Sequence, residues 1–194
     1  MKYGKFTPSQ FAAAMTNGRG KDSGPGATAL KLCRKIAMER MGVEPLDLSL
    51  SALEWGNEWE PIARERYEKE KMIEVVPCFE PIPHVDFSNV SGTPDGLVGT
   101  DGIIEIKCPY NPENHFANLY EGQQLDMYKW QGQGYLWITG RDWFEFVSYD
   151  PRYSEPYQIK IIRVDRDNEM IGQLSERIEM LEGVVNQILK EVMI

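Results

Sequence analysis

Two carboxylates and a lysine lie close together in the segment 91–107 of this chain. Asp95 begins a short apolar stretch, a Gly-Thr-Asp-Gly sequence follows at 99–102, and Glu105 and Lys107 come after it. Since an Asp-Gly pair tolerates the positive φ that a hairpin turn needs, the segment predicts two strands joined by a tight turn. Alternate side chains of a strand share one face, so Glu105 and Lys107 point the same way and the hairpin brings Asp95 near Glu105.

This arrangement favours metal-assisted hydrolysis of a phosphodiester. Two converging carboxylates raise each other's pKa and destabilise the site unless a cation neutralises them. Mg²⁺ is typically held by one or two carboxylates together with substrate phosphate. The lysine can orient or activate water, or offset the charge that builds on a phosphate. The residues alone leave a second interpretation open, an exposed hairpin with an ion pair between Glu105 and Lys107.

The same residues resemble the motif of a known nuclease superfamily. The Pro-Asp pair at 94–95, followed by Glu-Ile-Lys at 105–107, is similar to the PD-(D/E)XK motif. The longer strings Ser-Gly-Thr-Pro-Asp-Gly-Leu at 91–97 and Glu-Ile-Lys-Cys-Pro at 105–109 are similar to one branch, the phage lambda exonuclease (YqaJ-type viral recombinase) family. The resemblance implies an α/β (α+β) fold, a restriction-endonuclease-like core with a central mixed β-sheet flanked by helices.

The resemblance also implies a two-metal site. Asp95, Glu105 and the carbonyl of Ile106 would hold one Mg²⁺, and Asp95 with waters and the scissile phosphate would hold a second. Lys107 would help to deprotonate or orient the attacking water. Mn²⁺ is expected to be able to replace Mg²⁺ in the test tube.

A further carboxylate is implied in the helix predicted over about 49–72. The sequence Gly-x-x-x-Glu-x-x-Ala-Arg at 56–64 is similar to a family pattern in which the glutamate belongs to the active site. Glu60 matches that glutamate and would support a metal ion directly or through water; without the downstream motif it would be an ordinary surface glutamate. Gly56 and Pro61 are poor residues inside a helix, so a break or a local constraint is expected there.

The helix predicted over 123–137 carries another family element. Tyr128-x-x-Gln131-x-Gln133 is similar to the Tyr-x-x-Gln-x-Gln helix that flanks the metal site. The resemblance implies that Gln133 orients water or a phosphate by hydrogen bonding, and that Tyr128 and Gln131 contact the DNA. Judged without the resemblance, the glutamines would be amides on a helix surface.

Two N-terminal residues match family positions that bind a terminal 5′-phosphate. Ser9 lies at the start of a short helix predicted to end near residue 16, and Arg19 lies in the Gly-rich loop 17–26. Such a loop can bring backbone N–H groups close to a phosphate, although it lacks the spacing of a Walker A loop. The resemblance implies that Ser9 and Arg19 hold the 5′-phosphate. The plainer alternatives are a helix cap for Ser9 and an exposed loop residue for Arg19.

Charge is distributed unevenly along the chain. The net charge is −9, yet residues 1–41 carry eight Lys or Arg against two acidic residues, which leaves −15 for the remainder. The local field matters more than the total charge for attracting a polyanion. A basic N-terminal face therefore favours a protein that grips DNA on one surface, although a solvated helix face would have the same composition.

Composition restricts the class of protein. A length of 194 residues with ordinary apolar and charged fractions predicts one domain over 1–194. Three widely spaced cysteines fit a reducing cytoplasm rather than a disulfide framework, and two histidines give little support for a zinc site. Neither a signal peptide nor an apolar run of membrane-spanning length is recognisable, so a cytoplasmic protein with no membrane contact is expected. The resemblance to a phage family implies that this cytoplasm is that of a bacterial host.

The remaining elements follow from periodicity and turn residues. Helices are predicted at 27–41 and after Asp165 or Asp167, strands at 73–78, 143–149 and 157–164, a Pro-marked edge stretch at 80–87, and mostly loop at 111–122. An apolar heptad-like stripe runs along the last helix. We expect that stripe to pack on the sheet rather than to form a coiled coil.

The family resemblance implies a function that composition and spacing do not show. It implies a Mg²⁺-dependent 5′→3′ exonuclease that degrades linear double-stranded DNA to mononucleotides and a 3′ single-stranded overhang, for phage or prophage recombination. It also implies a homotrimeric ring around the DNA and a single-strand annealing recombinase as partner.

Two other functions stay open. One is a different PD-(D/E)XK nuclease, either an endonuclease or a relative of the CRISPR-adaptation nucleases. The latter often bind an iron–sulfur cluster through four cysteines, whereas this chain has three, none clustered. The other is a non-catalytic DNA-end-binding module that recruits a recombinase. Intact Asp95, Glu105 and Lys107 count against such a module, because a binding protein has no need of a carboxylate pair.

Overall fold

A central sheet with helices around it forms the computed structural model, which describes residues 4–20, 24–44, 50–120 and 125–192. The strands are β1 (Val75–Val76), β2 (Ile82–Pro83), β3 (Ser91–Gly92), β4 (Gly96–Val98), β5 (Gly102–Lys107), β6 (Trp143–Tyr149) and β7 (Ile159–Asp165). The helices are a 3-10 turn (Pro8–Gln10), α1 (Phe11–Ala14), α2 (Ala27–Arg40), α3 (Leu50–Lys71), α4 (Pro112–Tyr120), α5 (Leu125–Thr139) and α6 (Asn168–Val192). The predicted α/β core with a central mixed sheet is confirmed.

The central sheet has the strand order β1-β4-β5-β6-β7. β5 and β6 run parallel, and the other neighbours run antiparallel. β4 and β5 form the predicted hairpin, in which Gly96 pairs with Ile104. A Cβ at Gly96 would lie 2.2 Å from Val75 Cγ1, so glycine is needed where β1 approaches β4. The register places Asp95, the residue before Gly96, beside Glu105.

The segment 91–98 forms two short strands, and the second of them is the hairpin strand that was predicted to begin at Asp95. β3 pairs with β2 in a separate two-stranded sheet, while β4 joins the central sheet. Pro94 lies between them and has no N–H to donate to a ladder, which favours a change of sheet at this point. Thr93, Pro94 and Asp95 consequently lie outside both ladders, next to the end of β5.

Helices cover both faces of β5 and β6, whose side chains are almost all buried. One apolar cluster joins the sheet to α3 and includes Ala63, Tyr67, Ile104, Ile106 and Val147. A second cluster joins the opposite face to α5 and includes Ile103, Tyr135, Leu136, Phe144 and Phe146. Because alternate residues of β5 enter opposite clusters, the strand is fixed in register from both sides.

The last helix packs mainly on other helices, so the prediction that its stripe lies on the sheet is wrong for most of its length. Four buried residues of the stripe share a cluster with α1 and α2: Leu174, Ile178, Leu181 and Val185. Ile171 joins the cluster on the sheet. The reason is that α5 already occupies that sheet face. The N-terminus of α6 is capped as predicted, since Asp167 Oδ1 accepts the Met170 N–H at 2.9 Å.

The third helix continues through Gly56 and Pro61, where a break was expected. Proline removes one backbone donor, at a cost of about 3 kcal/mol in a helix interior. Burial of Ala63 and Tyr67 against the sheet offsets that cost and holds the following turns in place. The continuous helix carries Glu60 to the end of β5.

Most of the loop predicted at 111–122 is helix α4; residues 121–122 lie outside the described part of the chain. The helix is held by polar contacts. His115 Nδ1 lies 2.8 Å from Ser148 Oγ, and Asn118 Nδ2 donates to the same oxygen at 2.9 Å. Because polar rather than apolar residues face the sheet, the sequence lacks the apolar stripe that identifies a helix.

Both histidines are buried: His84 Nδ1 accepts the backbone N–H groups of Asp86 and Phe87, and His115 Nε2 lies 2.9 Å from the Tyr157 carbonyl. The three cysteines are free thiols. Within the described residues, no helix has both the length and the apolar character that crossing a membrane requires.

Candidate active site

Asp95 and the end of β5 are tied together by a short hydrogen bond. Asp95 Oδ2 accepts the backbone N–H of Ile106 at 2.6 Å. The hairpin register brings these residues side by side, and Asp95 itself lies in a bend just before β4. The remaining oxygen of Asp95 is available to a ligand, and the Ile106 carbonyl lies on the same edge.

Glu105 is 2 % exposed, and its two carboxylate oxygens have different environments. Oε1 accepts hydrogen bonds from Lys107 Nζ and from Gln131 Nε2, each at 2.5 Å. Oε2 is buried and has no hydrogen-bond partner among the residues that the structure describes. A bare, buried carboxylate oxygen costs free energy, and a bound cation would satisfy it.

The electrostatics of the site favour occupation by a cation. Burial, reinforced by the charge of Glu105, raises the pKa of Asp95 well above its ordinary value. Burial also raises the pKa of Glu105, although Lys107 opposes that shift. Burial alone would lower the pKa of Lys107, but the charges of Glu105 and Asp95 outweigh it and raise the pKa above its ordinary value. Lys107 is therefore an ammonium that partly neutralises the carboxylates.

A groove of about 270 Å³ opens between α3 and the end of β5. Its lining includes Glu60, Asp95, Ile106, Lys107 and Cys108. Glu60 Oε1 accepts a hydrogen bond from Arg64 Nη2 at 2.5 Å, and its negative charge contributes to the raised pKa of Asp95. The structure thus brings the predicted carboxylate of α3 to the same groove as Asp95.

The donor set of Asp95 and Glu105 fits Mg²⁺ better than zinc. Among the described residues, no three His, Cys, Asp or Glu side chains are close enough together to hold a metal ion by themselves. Zinc in structural sites takes four protein ligands, whereas Mg²⁺ is commonly held by one or two carboxylates and completes its shell with water and phosphate. Asp95 and Glu105, with its bare Oε2, match the second pattern.

The two glutamines of α5 are directed to different parts of the molecule. Gln131 is 7 % exposed and donates to Glu105. Gln133 donates to the Asp165 carbonyl and accepts the Asp167 N–H, both at 2.8 Å. Asp165 belongs to the sheet end where β5 begins, opposite the end that carries Lys107. The predicted role of Gln133 in orienting water or phosphate is therefore not supported, and its amide instead holds the start of α6.

Tyr128 lies beside the site. Its ring stacks on Phe146 at 5.0 Å between centroids, and Lys107 Nζ lies 5.3 Å from the centre of the Tyr128 ring. The ring thus contributes a cation–π contact to the ammonium group. Its predicted contact with DNA stays a prediction.

Ser9 and Arg19 have different positions. Ser9 is exposed, lies 3.2 Å from Thr7 in an Oγ–Oγ1 contact, and lines a cavity of about 230 Å³ with Thr93 and Tyr135. Thr7, not Ser9, is the residue that caps the 3-10 turn. Arg19 is exposed in the loop after α1 and is not among the described residues that line this cavity. The structure brings Ser9 near the site and does not bring Arg19 there.

One residue of the site was missed in the sequence. Tyr135 is 5 % exposed, and its hydroxyl donates to the Thr93 carbonyl at 3.1 Å and lies 3.4 Å from Gln131 Nε2. The available signal was its spacing, since residues i and i+4 of a helix share a face. Tyr135 stands one turn after Gln131 and therefore faces the same carboxylate.

Comparison with known proteins agrees with this geometry. The model of the YqaJ-like viral recombinase domain matches residues 1–142. The chain belongs to this family. The matched region of this YqaJ-like protein holds the hairpin, Glu60 and the glutamines of α5. No curated protein gives a significant match.

Solved structures resemble the YqaJ-like protein over nearly its full length. An alkaline exonuclease (LHK-Exo) from Laribacter hongkongensis superposes with a TM-score of 0.87 at 30 % identity, covering 98 % of this chain and 92 % of that chain. The complex of LHK-Exo with dAMP superposes with a TM-score of 0.86 at 30 % identity, covering 97 % of this chain and 91 % of that chain. A phage related exonuclease from Haemophilus somnus 129PT gives 0.82 at 18 % identity, with 97 % and 96 % covered, which supports the fold.

Proposed function

We propose that this protein is a Mg²⁺-dependent 5′→3′ exonuclease that degrades linear double-stranded DNA to mononucleotides and leaves a 3′ single-stranded overhang. The observation that carries the proposal is the buried Glu105, whose Oε2 lacks a partner among the described residues, beside Asp95 and the Lys107 ammonium. The exonuclease fold of the neighbouring structures supports the reaction class. The complex of LHK-Exo with dAMP supports a mononucleotide product, since dAMP has that form.

The residues of the groove have distinct roles in this proposal. Asp95, Glu105 and the Ile106 carbonyl would hold Mg²⁺, with Glu60 in support. When bound, two such ions would stabilise the attacking and leaving oxygens of a phosphodiester. Lys107, held as an ammonium by the carboxylates, donates hydrogen bonds to water or to a phosphate oxygen and offsets developing negative charge. It therefore orients the water rather than accepting its proton.

The cavity beside Ser9 is our candidate site for the terminal 5′-phosphate. Ser9 offers an exposed hydroxyl, and Thr93, on the same cavity wall, stands two residues before Asp95. An adjoining cavity of about 480 Å³ includes Lys5 and shares Thr93. Hydroxyl and ammonium donors suit a phosphate dianion. A phosphate held there would set the first phosphodiester close to the carboxylates.

The basic N-terminal part of the chain supports binding of DNA on one surface. The described side chains of Lys31, Arg34 and Lys35 are exposed on α2. Arg40 does not join them, because it forms paired 2.7 Å hydrogen bonds with Glu182. The exposed cations would add a salt-dependent contribution to DNA affinity.

We further propose a homotrimeric ring around the DNA and a single-strand annealing recombinase as partner, working in phage or prophage recombination. The family name, a viral recombinase domain, supports the recombination context. Light scattering of the purified protein would measure the number of subunits, and a dimer or a monomer would contradict the ring.

Digestion of end-labelled DNA tests the polarity and the products. A linear duplex carries a label at one 5′ end, a second carries it internally, and a closed circle serves as control. We expect early release of the 5′ label as mononucleotide in Mg²⁺ and a spared circle. A cut circle would indicate an endonuclease, and early release of 3′ nucleotides would reverse the polarity.

A further inference from the structure

Tyr135 lies between the cavity beside Ser9 and the carboxylates of the active site. It lines the cavity wall with Ser9 and Thr93. Its hydroxyl donates to the Thr93 carbonyl at 3.1 Å. The side chain is 5 % exposed, so these contacts are shielded from bulk water.

Two short connections lead from this hydroxyl to the two carboxylates. Gln131 Nε2 lies 3.4 Å from the Tyr135 hydroxyl and 2.5 Å from Glu105 Oε1, and so joins them. The Thr93 carbonyl belongs to the segment that ends at Asp95, which lies outside both sheets.

The packing around Tyr135 leaves little room for it to move. A Cβ at Gly92 would lie 3.0 Å from Tyr135 Cε1 and 2.8 Å from Pro8 Cγ. A Cβ at Gly134 would lie 2.3 Å from Phe11 Cδ2. The glycines thus allow β3, the N-terminal turn and α5 to meet closely, and the ring is held between them. The Tyr135 ring is therefore closely packed on this side of the cavity.

We propose that Tyr135 is a positioning residue that couples a phosphate bound in the cavity beside Ser9 to the alignment of Asp95 and Glu105. The inference rests on the proposed exonuclease function, and it adds that recognition of the DNA end and hydrolysis share this one side chain. A phosphate at the end of the strand fixes the cavity wall at Thr93. Tyr135 then holds the Asp95 segment and, through Gln131, Glu105 in the geometry that hydrolysis needs.

The test compares duplexes that carry a 5′-phosphate or a 5′-hydroxyl in single-turnover digestion. We expect the native protein to hydrolyse the phosphorylated end faster. Tyr135→Phe keeps the ring and removes the hydroxyl, so we expect the ratio of the two rates to fall about tenfold towards one. Tyr135→His restores a ring N–H donor, so we expect it to recover part of the ratio between the two rates. This second variant also keeps the proposal testable if Tyr135→Phe folds poorly.

The matched control is Tyr67→Phe. The Tyr67 hydroxyl is also buried and donates to a carboxylate, Glu145 Oε2, at 2.6 Å, but it lies in the cluster with α3. Its loss should lower the melting temperature and leave the ratio unchanged. The coupling is overturned if Tyr135→Phe reduces both rates by the same factor, which would be a structural effect only. It is also overturned if the native protein digests both ends equally, although the exonuclease function would then survive. Absence of any cleavage would overturn both.

Discussion

Gln131 Nε2 donates to Glu105 Oε1 at 2.5 Å across the contact between α5 and β5. Lys107 donates to the same oxygen, so both donors lie on one side of the carboxylate. Oε2 is left buried and without a hydrogen-bond partner among the described residues, so it is the oxygen that a cation would satisfy. The orientation of Glu105, and with it the metal affinity that we propose for the site, therefore depends on an amide that does not itself need to touch the substrate.

Substitution of the two glutamines of α5 separates their roles. Gln131→Ala should reduce kcat about 10- to 100-fold, because loss of a hydrogen bond to a metal ligand typically has that effect. Gln133→Ala should leave kcat near the native value and destabilise the fold by about 2–3 kcal/mol, because it removes two hydrogen bonds that hold the start of α6. Steady-state rates and thermal melts of both variants check this. The reverse pattern would restore the role first predicted for Gln133.

Metal binding should depend on Glu105 and stabilise the folded protein. A ligand at 100 times its Kd stabilises by about 2.7 kcal/mol, so Mg²⁺ or Mn²⁺ should raise the Tm of the native protein. Glu105→Gln should abolish that rise. Glu145→Gln is the control, since Glu145 is a buried carboxylate paired with Lys71 at 2.7 Å on the adjacent strand β6. It should lower the Tm but keep the metal-induced rise; an equal rise in Glu105→Gln would contradict the site.

The metal-free protein should lose stability as the pH rises. The pKa of Asp95 is raised in the folded state, so the folded protein holds this proton more tightly than the unfolded chain does. That contribution is fully present below the unfolded pKa of about 3.9 and is lost as the pH rises through the folded pKa. Relative to the native protein, Asp95→Asn should therefore gain stability as the pH rises from 4 to 8 without metal.

Denaturant unfolding at several pH values measures this difference. Mg²⁺ should restore the stability of the native protein at pH 8, because the cation replaces the proton between the carboxylates. Asp95→Asn should show a much smaller response to Mg²⁺. A difference in the free energy of unfolding that does not change with pH would mean that burial and neighbouring charges do not raise the pKa of Asp95.

The hairpin could be predicted because its signals are local. The Asp-Gly turn fixes the hairpin, and the alternation along β5 places the side chains of Glu105 and Lys107 on the same face. The roles of Gln131 and Gln133 could not be separated in the same way. Side chains two residues apart on a helix point about 200° apart, so only one of the pair can face the carboxylates, and the tertiary packing of α5 decides which.

Other features depend on contacts that sequence patterns do not encode. α4 is held by His115 and Asn118 on Ser148, so burial there has no apolar signature. The position of Tyr135 depends on three elements that pack around it, β3, the N-terminal turn and α5. The sequence showed only its spacing of four residues from Gln131. Arg19 matches a family position in order along the chain, yet order alone does not determine which cavity an exposed loop residue reaches.

The most direct test of the site is hydrolysis of a linear duplex by the native protein and by Lys107→Ala, in Mg²⁺ and in a chelator. We expect rapid release of nucleotides by the native protein only with Mg²⁺. Lys107→Ala should be slower by about 10²- to 10³-fold, because an ammonium group is no longer available to stabilise developing charge. Binding of the duplex should be nearly unchanged. Native-like cleavage by Lys107→Ala, or cleavage that persists in the chelator, would contradict the assignment of Asp95, Glu105 and Lys107 as a metal-dependent nuclease site.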